Sequence, residues 1–131
     1  MPTQNTAQVK DRIAYYLKAK GPSLPIHISK AIGFNLLFSS AFISEMFSEK
    51  KVKMSYMRIG SSALYFLEGQ ESMLENFSEY LKSKEREAFE LLKEKKFLKD
   101  SEQEPAIRVA LRAIRDFAIP ITKNEEGYWK Y

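Results

Sequence analysis

The chain has 131 residues, 44% of them hydrophobic and 13% aromatic, which suits one ordinary domain or two very small ones with packed cores and excludes a disordered polymer. It contains no cysteine, so disulfides and cysteine-ligated zinc or iron–sulfur centres are excluded, a usage that fits a reducing cytosol. The net charge of +4 is uneven: residues 1–70 hold nine Lys or Arg against four Asp or Glu, and residues 71–131 hold twelve against thirteen, so the first half carries the positive excess that favours phosphate contact.

No run approaches the roughly 18 apolar residues of a membrane span, and MPTQNTAQVKDR lacks the basic-then-apolar order of a secretory signal. The expectation is a cytoplasmic protein with no membrane partner. Met1 to Thr6 is small and polar and is expected to fray. From Ala7 to Lys20, Val9, Ile13, Tyr16 and Leu17 recur at helical spacing and predict a first helix. Gly21 and Pro22 stop it.

Ile26 to Ile32 reads as a short apolar helix ended by Gly33, with Pro25 either at a strand end or as the first helical residue. His27, the only histidine, is either an ordinary residue of that short helix or a contact to a DNA backbone. After GFN a longer helical pattern runs from Leu36 to Lys50. Leu37, Ala41, Phe42, Met46 and Phe47 are expected on its packing side, and Ser40, Ser44 and Ser48 form a ladder on another. Val52, Met54 and Tyr56 then alternate, Gly60-Ser61-Ser62 breaks the chain, and Ala63 to Leu67 is β-prone. That is a hairpin directly after the longer helix.

On the AIGFN turn, the FSSAFISEMFSEKKV helix and the ribbon around Arg58 to Ser62, residues 9–67 resemble a winged-helix domain of the helix-turn-helix class. The resemblance implies that the longer helix enters a DNA major groove, that the ribbon touches the backbone, and that Ser23-Leu24-Pro25 supplies a short strand pairing with the wing. Asn35, Ser39, Ser40 and Ser44 are then the groove-facing candidates, with a solvated helix face as the alternative for the serines. Lys30, Lys50, Lys51, Lys53 and Arg58 are the phosphate candidates. Glu45 and Glu49 on the same helix oppose this unless they point sideways, towards Lys53 or the first helix.

Glu68-Gly69-Gln70 closes this domain, read as residues 7–69, and opens a helical region over residues 70–131. Met73, Leu74, Phe77, Tyr80 and Leu81 form one apolar stripe and Ala88, Phe89, Leu91 and Leu92 another, as one long helix or a helix that restarts. The heptad fails at Lys84 and near Lys95, which argues against a long coiled coil and leaves a short helical dimer contact open. Phe97-Leu98 and KDSEQE read as a connection, and Pro105 opens the last helix, PAIRVALRAIRDFA. Ile107, Ala110, Leu111, Ile114, Phe117 and Ala118 make its apolar face. Arg108, Arg112 and Arg115 lie beside it, there to pair with nearby glutamates, meet phosphate or meet a protein partner.

The end, IPITKNEEGYWKY, has strand character on both sides of a turn, with Tyr128, Trp129 and Tyr131 either packed on the last helix or exposed as a contact patch. Helix, helix, hairpin again suggests a second, degenerate winged-helix-like unit. The expected fold class is mainly α with small β-hairpin wings.

The expected function is a DNA-binding protein, a transcriptional regulator or chromosome-associated factor, contacting double-stranded DNA and dimerising through residues 70–131. The alternative is a protein-interaction module, because tandem winged helices resemble small accessory subunits of chromosome-segregation and replication complexes. RNA is a weaker reading, since no basic and aromatic strand motif is present. Catalysis is not expected: serine nucleophiles need a base, His27 is alone, and no phosphate-cradling glycine loop or metal-ligand cluster occurs. Neither cofactor nor metal is expected.

Overall fold

The structure, a computed structural model, describes residues 3–131. It is helix-rich with two small antiparallel sheets. It divides into two compact units, the first ending at Leu74 and the second running from Glu75 to Tyr131, a few residues past the boundary expected at residue 69. Among the described residues no single helix is long and apolar enough to cross a membrane.

In the first unit, α1 (Thr3–Lys20) begins earlier than the pattern at Ala7 predicts. Of the end expected to fray, Thr3 to Thr6 are helical, and Met1 and Pro2 lie outside the described residues. Its apolar stripe buries Val9, Ile13 and Leu17. It stops at Gly21, whose N–H donates to the Leu17 carbonyl at 2.7 Å. Gly21 has φ +84°, the conformation that favours glycine, and a Cβ there would meet the flexible end of Met73 at 2.7 Å and push it aside.

α2 (Pro25–Ile32) starts on Pro25 as its first residue and ends on left-handed Gly33, φ 78°. α3 (Leu36–Ser48) is capped by Asn35, whose Oδ1 accepts from the Phe38 N–H at 2.8 Å. It ends before Lys50, which turns left-handed at φ 62°, so the helix is two residues shorter than its pattern. Val9, Ile13, Leu17, Ile28, Ile32, Ile43, Met46 and Val52 form one buried cluster, with Phe34 and Phe42 packed against it and edge-to-face at 6.1 Å. Each large aliphatic side chain fully buried there contributes about 1.5–3 kcal/mol.

β1 (Lys53–Ile59) and β2 (Ser62–Phe66) form the hairpin, and their register shifts between Met54 and Arg58. Ser55 fills this bulge: its buried hydroxyl donates to the Met57 carbonyl at 2.8 Å and accepts from the Leu64 N–H at 2.9 Å. The simple alternation therefore fails, with Ser55 and Met57 inward and Tyr56 outward. Ser23 exchanges two backbone hydrogen bonds of 2.9 Å with Tyr65, a one-residue third strand on the outer side of β2. Gln70 closes the unit, donating to the Leu17 carbonyl at 2.8 Å and accepting from the Leu67 N–H at 2.9 Å.

A 3₁₀ run over Glu71–Tyr80 leads to α4 (Ser83–Lys95), so the helical pattern restarts and does not continue as one helix. Phe97-Leu98-Lys99, expected as a connection, is strand β3 (Phe97–Lys99) and is followed by a 3₁₀ turn over Asp100–Glu102. α5 (Pro105–Ala113) ends five residues short of the predicted Ala118 because Ile114 leaves helical geometry at φ −98°, ψ 54°. The following turn still buries Ile114, Phe117 and Ala118, and Phe117 stacks edge-to-face on Phe89 at 4.8 Å. β4 (Ile119–Lys123) and β5 (Glu126–Lys130) are joined by Asn124 and Glu125, both left-handed, the twist a two-residue hairpin turn needs. The sheet order is β3-β5-β4.

The two units share one order of parts: a helix, a short strand, a helical segment, a helix, then a hairpin whose second strand bonds the short strand. In the first these are α1, Ser23, α2, α3 and β1–β2; in the second, α4, β3, the 3₁₀ turn, α5 and β4–β5.

Candidate functional site

The face of α3 turned from the core differs from its sequence reading. Ser39, Ile43 and Met46 are buried, and Phe42 is half-buried beside them. With 100° between residues, the opposite side carries Leu37, Ala41, Ser44 and Ser48, all exposed. Leu37 is 78% exposed, Phe38 56%, Leu36 46% and Phe47 43%. Leu37, Ala41 and Phe47, expected to pack, instead face outward. The helix contains no Lys or Arg.

Its one acidic residue, Glu45, and the capping Glu49 are drawn onto α1. Lys10 Nζ donates to Glu45 Oε1 at 2.7 Å and to Glu49 Oε1 and Oε2 at 3.1 and 3.2 Å. The hydrogen bond to Glu45, only partly offset by burial, raises the Lys10 pKa, and Lys10 in turn lowers that of Glu49. Both carboxylates thus point sideways to the first helix, and the outward seam 37–41–44–48 is uncharged.

The groove candidates scatter. Asn35 is spent on the helix cap. Ser39 is wholly buried, its hydroxyl 3.4 Å from the Phe34 carbonyl, so it reaches no groove: the correction follows from the α3 face that α1 and α2 cover. Ser40 is half-buried and Ser44 exposed. Among the basic candidates, Lys50, Lys51 and Lys53 line an open cleft of about 630 Å³ with Phe47, Ser48, Val52 and Glu68. Lys51 lies 3.5 Å from Glu49, and Lys53 binds Glu71 at 2.7 Å, a bond that raises the Lys53 pKa. Arg58 sits at the hairpin end, 3.5 Å from the Ser61 carbonyl. Lys30 is exposed on α2, and neither it nor Lys50 makes an ion pair among the described residues. His27 is exposed.

In the second unit the arginines have a local partner. Asp100 Oδ2 accepts from Arg108 at 2.8 and 3.2 Å and from Arg112 at 3.1 Å, while Oδ1 accepts from Trp129 Nε1 at 2.9 Å. The Trp129 hydrogen bond, then those of Arg108 and Arg112, outweigh burial and hold Asp100 down at about 2. Arg112 also lies over the Trp129 ring, 5.8 Å from its centre. The partner is an aspartate, not the glutamates expected. Arg115 falls beyond the end of α5, so the three do not form one helical stripe.

Sequence reasoning put Leu37 on the packing side and so missed the exposed run Leu36, Leu37 and Phe38, and it passed over Asp100 as a hub. Counting neighbours of Ile43 and Met46 at three and four residues would have found the first. Nothing local marks Asp100. Among the described residues no group of three or more His, Asp or Glu is placed to hold a metal ion. No protein-family model, curated protein or solved structure matches the chain.

Proposed function

We propose that the chain is a tandem pair of winged helices whose first unit is a protein-docking module working through the outward face of α3. The shared order of parts, with Ser23 and β3 each bonded to the second hairpin strand, supports the winged-helix reading of both units. The docking reading is carried by one observation: the helix a DNA-binding winged helix would give to the groove presents Leu36, Leu37 and Phe38 to solvent and contains no cation. Groove insertion would leave those apolar groups against phosphates and polar base edges, whereas a protein surface removes them from water at about 25 cal/mol per Å². Early elution from heparin at moderate salt is expected; retention that needs high salt to reverse would refute the docking reading.

One observation favours a second reading, contact with duplex DNA. Lys10 draws Glu45 and Glu49 away from the outward seam, and Lys30, Lys50 and Arg58 stay exposed around the same unit. In that reading Lys50 and Arg58 touch phosphates and supply affinity without sequence preference.

A further inference from the structure

We propose that a groove between α1 and α2 takes an acidic amphipathic helix of a protein partner. The surface is separate from the α3 face and does not rest on that reading. With 100° between residues, Arg12, Tyr15, Tyr16 and Ala19 lie to one side of the buried stripe Val9, Ile13 and Leu17; Lys10 lies to the other, where it holds Glu45 of α3. On the first side is an open groove of about 530 Å³, which Ala31 and Ile32 complete from α2. Its base is buried Ile32 and Tyr16, half-buried against the core. Ala19 and Ala31 are small and exposed, so another helix can come close to both walls. Tyr15 stands at the rim, 77% exposed.

Charge selects the occupant. Arg12 and Lys20 both line the groove, at opposite ends of its α1 wall and about 12 Å apart along the helix, and Lys30 precedes Ala31 in the chain. None of the three makes an ion pair among the described residues, so their charges are open to a partner's carboxylates. Between Arg12 and Lys20 the wall is aromatic and aliphatic. Its complement is a helix with carboxylates seven or eight residues apart on one face and large apolar residues at the three- and four-residue steps between. The one acid in the lining, Asp11, is likewise without an ion pair among the described residues. A partner helix can set a Lys or Arg against it, whereas a nucleic-acid backbone brings only negative charge. The mixed signs therefore favour protein over a single strand of nucleic acid, which tyrosines among cations would otherwise suit. Both walls are helical and offer no strand edge, so recognition is by side chains.

The test is selection, on the full chain, from a displayed library of amphipathic helical peptides of roughly sixteen residues, about 24 Å of helix, with charged and apolar positions randomised. The peptides enriched are expected to carry Asp or Glu seven or eight residues apart around apolar residues. By fluorescence anisotropy they are expected to lose at least about tenfold in affinity to Tyr15→Ser and, separately, to Arg12→Glu combined with Lys20→Glu. All three side chains are exposed, so circular-dichroism spectra are expected to stay unchanged. Leu37→Asp is expected to leave the affinity as it is, which separates this groove from α3. Enrichment of basic or uncharged peptides, peptides indifferent to Tyr15→Ser, or no enrichment at all would overturn the proposal. Peptides lost to Leu37→Asp and kept by Tyr15→Ser would overturn it too, while leaving the α3 docking reading in place. A random-sequence single-stranded oligonucleotide that binds wild type and not Tyr15→Ser would assign the groove to nucleic acid instead.

Discussion

Asp100 ties three elements of the second unit together, and replacing it has a cost with a defined pH dependence. Its carboxylate is mostly buried and accepts from Trp129 on β5 and from Arg108 and Arg112 on α5. The folded pKa of about 2 lies below the 3.8 of a free aspartate, a difference worth about 2 kcal/mol in favour of the folded state once the group is ionised. Both guanidinium groups are partly exposed, so solvent screening reduces this to about 1–2 kcal/mol.

Because the folded pKa is depressed, the contribution is complete above the unfolded value near pH 4. It is lost as pH falls through about 2. Asp100→Asn keeps an acceptor for the Trp129 N–H and removes the charge, so it isolates this contribution. Trp129 is the only tryptophan, and its fluorescence follows unfolding of the second unit in urea. The variant is expected to be less stable than wild type by about 1–2 kcal/mol at pH 7, with the gap closing between pH 5 and pH 2. Equal stability at pH 7, or a gap independent of pH, would refute the account of this network.

Three further substitutions test the first unit. Ser55→Ala takes from the buried Leu64 N–H the hydroxyl that accepts its hydrogen bond inside the bulge and is expected to cost about 1–3 kcal/mol in denaturant unfolding; a cost within about 0.5 kcal/mol would mean that water replaces the hydroxyl. Gly21→Ala places a Cβ on a left-handed backbone and is expected to lower the stability of the unit by at least about 1 kcal/mol, where a gain on thermal melting would contradict the backbone strain. Leu37→Asp, at the most exposed apolar residue of α3, is expected to change stability by less than about 0.5 kcal/mol, and a larger loss would show that Leu37 packs within its own unit.

The stripe of α1 and the ends of α1 and α2 were legible: Val9, Ile13 and Leu17 sit four apart, and Gly21, Pro25 and Gly33 punctuate the chain where backbone conformation demands it. The face of α3 was not legible. LLFSSAFISEMFS is apolar almost all round, so several faces fit a packing stripe, and only the position of α1 and α2 decides that Ser39, Ile43 and Met46 go inward. A serine at the centre of that face is tolerated because its hydroxyl has the Phe34 carbonyl to approach.

The bulge was hidden for a similar reason. Val52, Met54 and Tyr56 alternate in the sequence, but Tyr56 faces outward and the buried pair is Ser55 and Met57, and a polar residue satisfied inside the hairpin has no periodic signature. β3 is three residues long and exists through pairing with β5, a partner some thirty positions away that local pattern does not register. Asp100 is one acid in a charged run until folding brings Arg108, Arg112 and Trp129 around it. The apolar face of α5 was read correctly, yet its last members are held by a turn, since burial at the right spacing does not require the helix to continue.

The central claim, that the outward face of α3 meets protein and not a DNA groove, is tested most directly by a fluorescence-anisotropy titration of the full chain against a labelled random-sequence duplex at several salt concentrations. The account predicts no binding tighter than about 10⁻⁴ M at physiological salt, the weak limit of non-specific association, and the same curve for Leu37→Asp. Micromolar binding whose affinity falls steeply with salt, weakened by Lys50→Ala and Arg58→Ala together, would contradict it and assign the face to DNA.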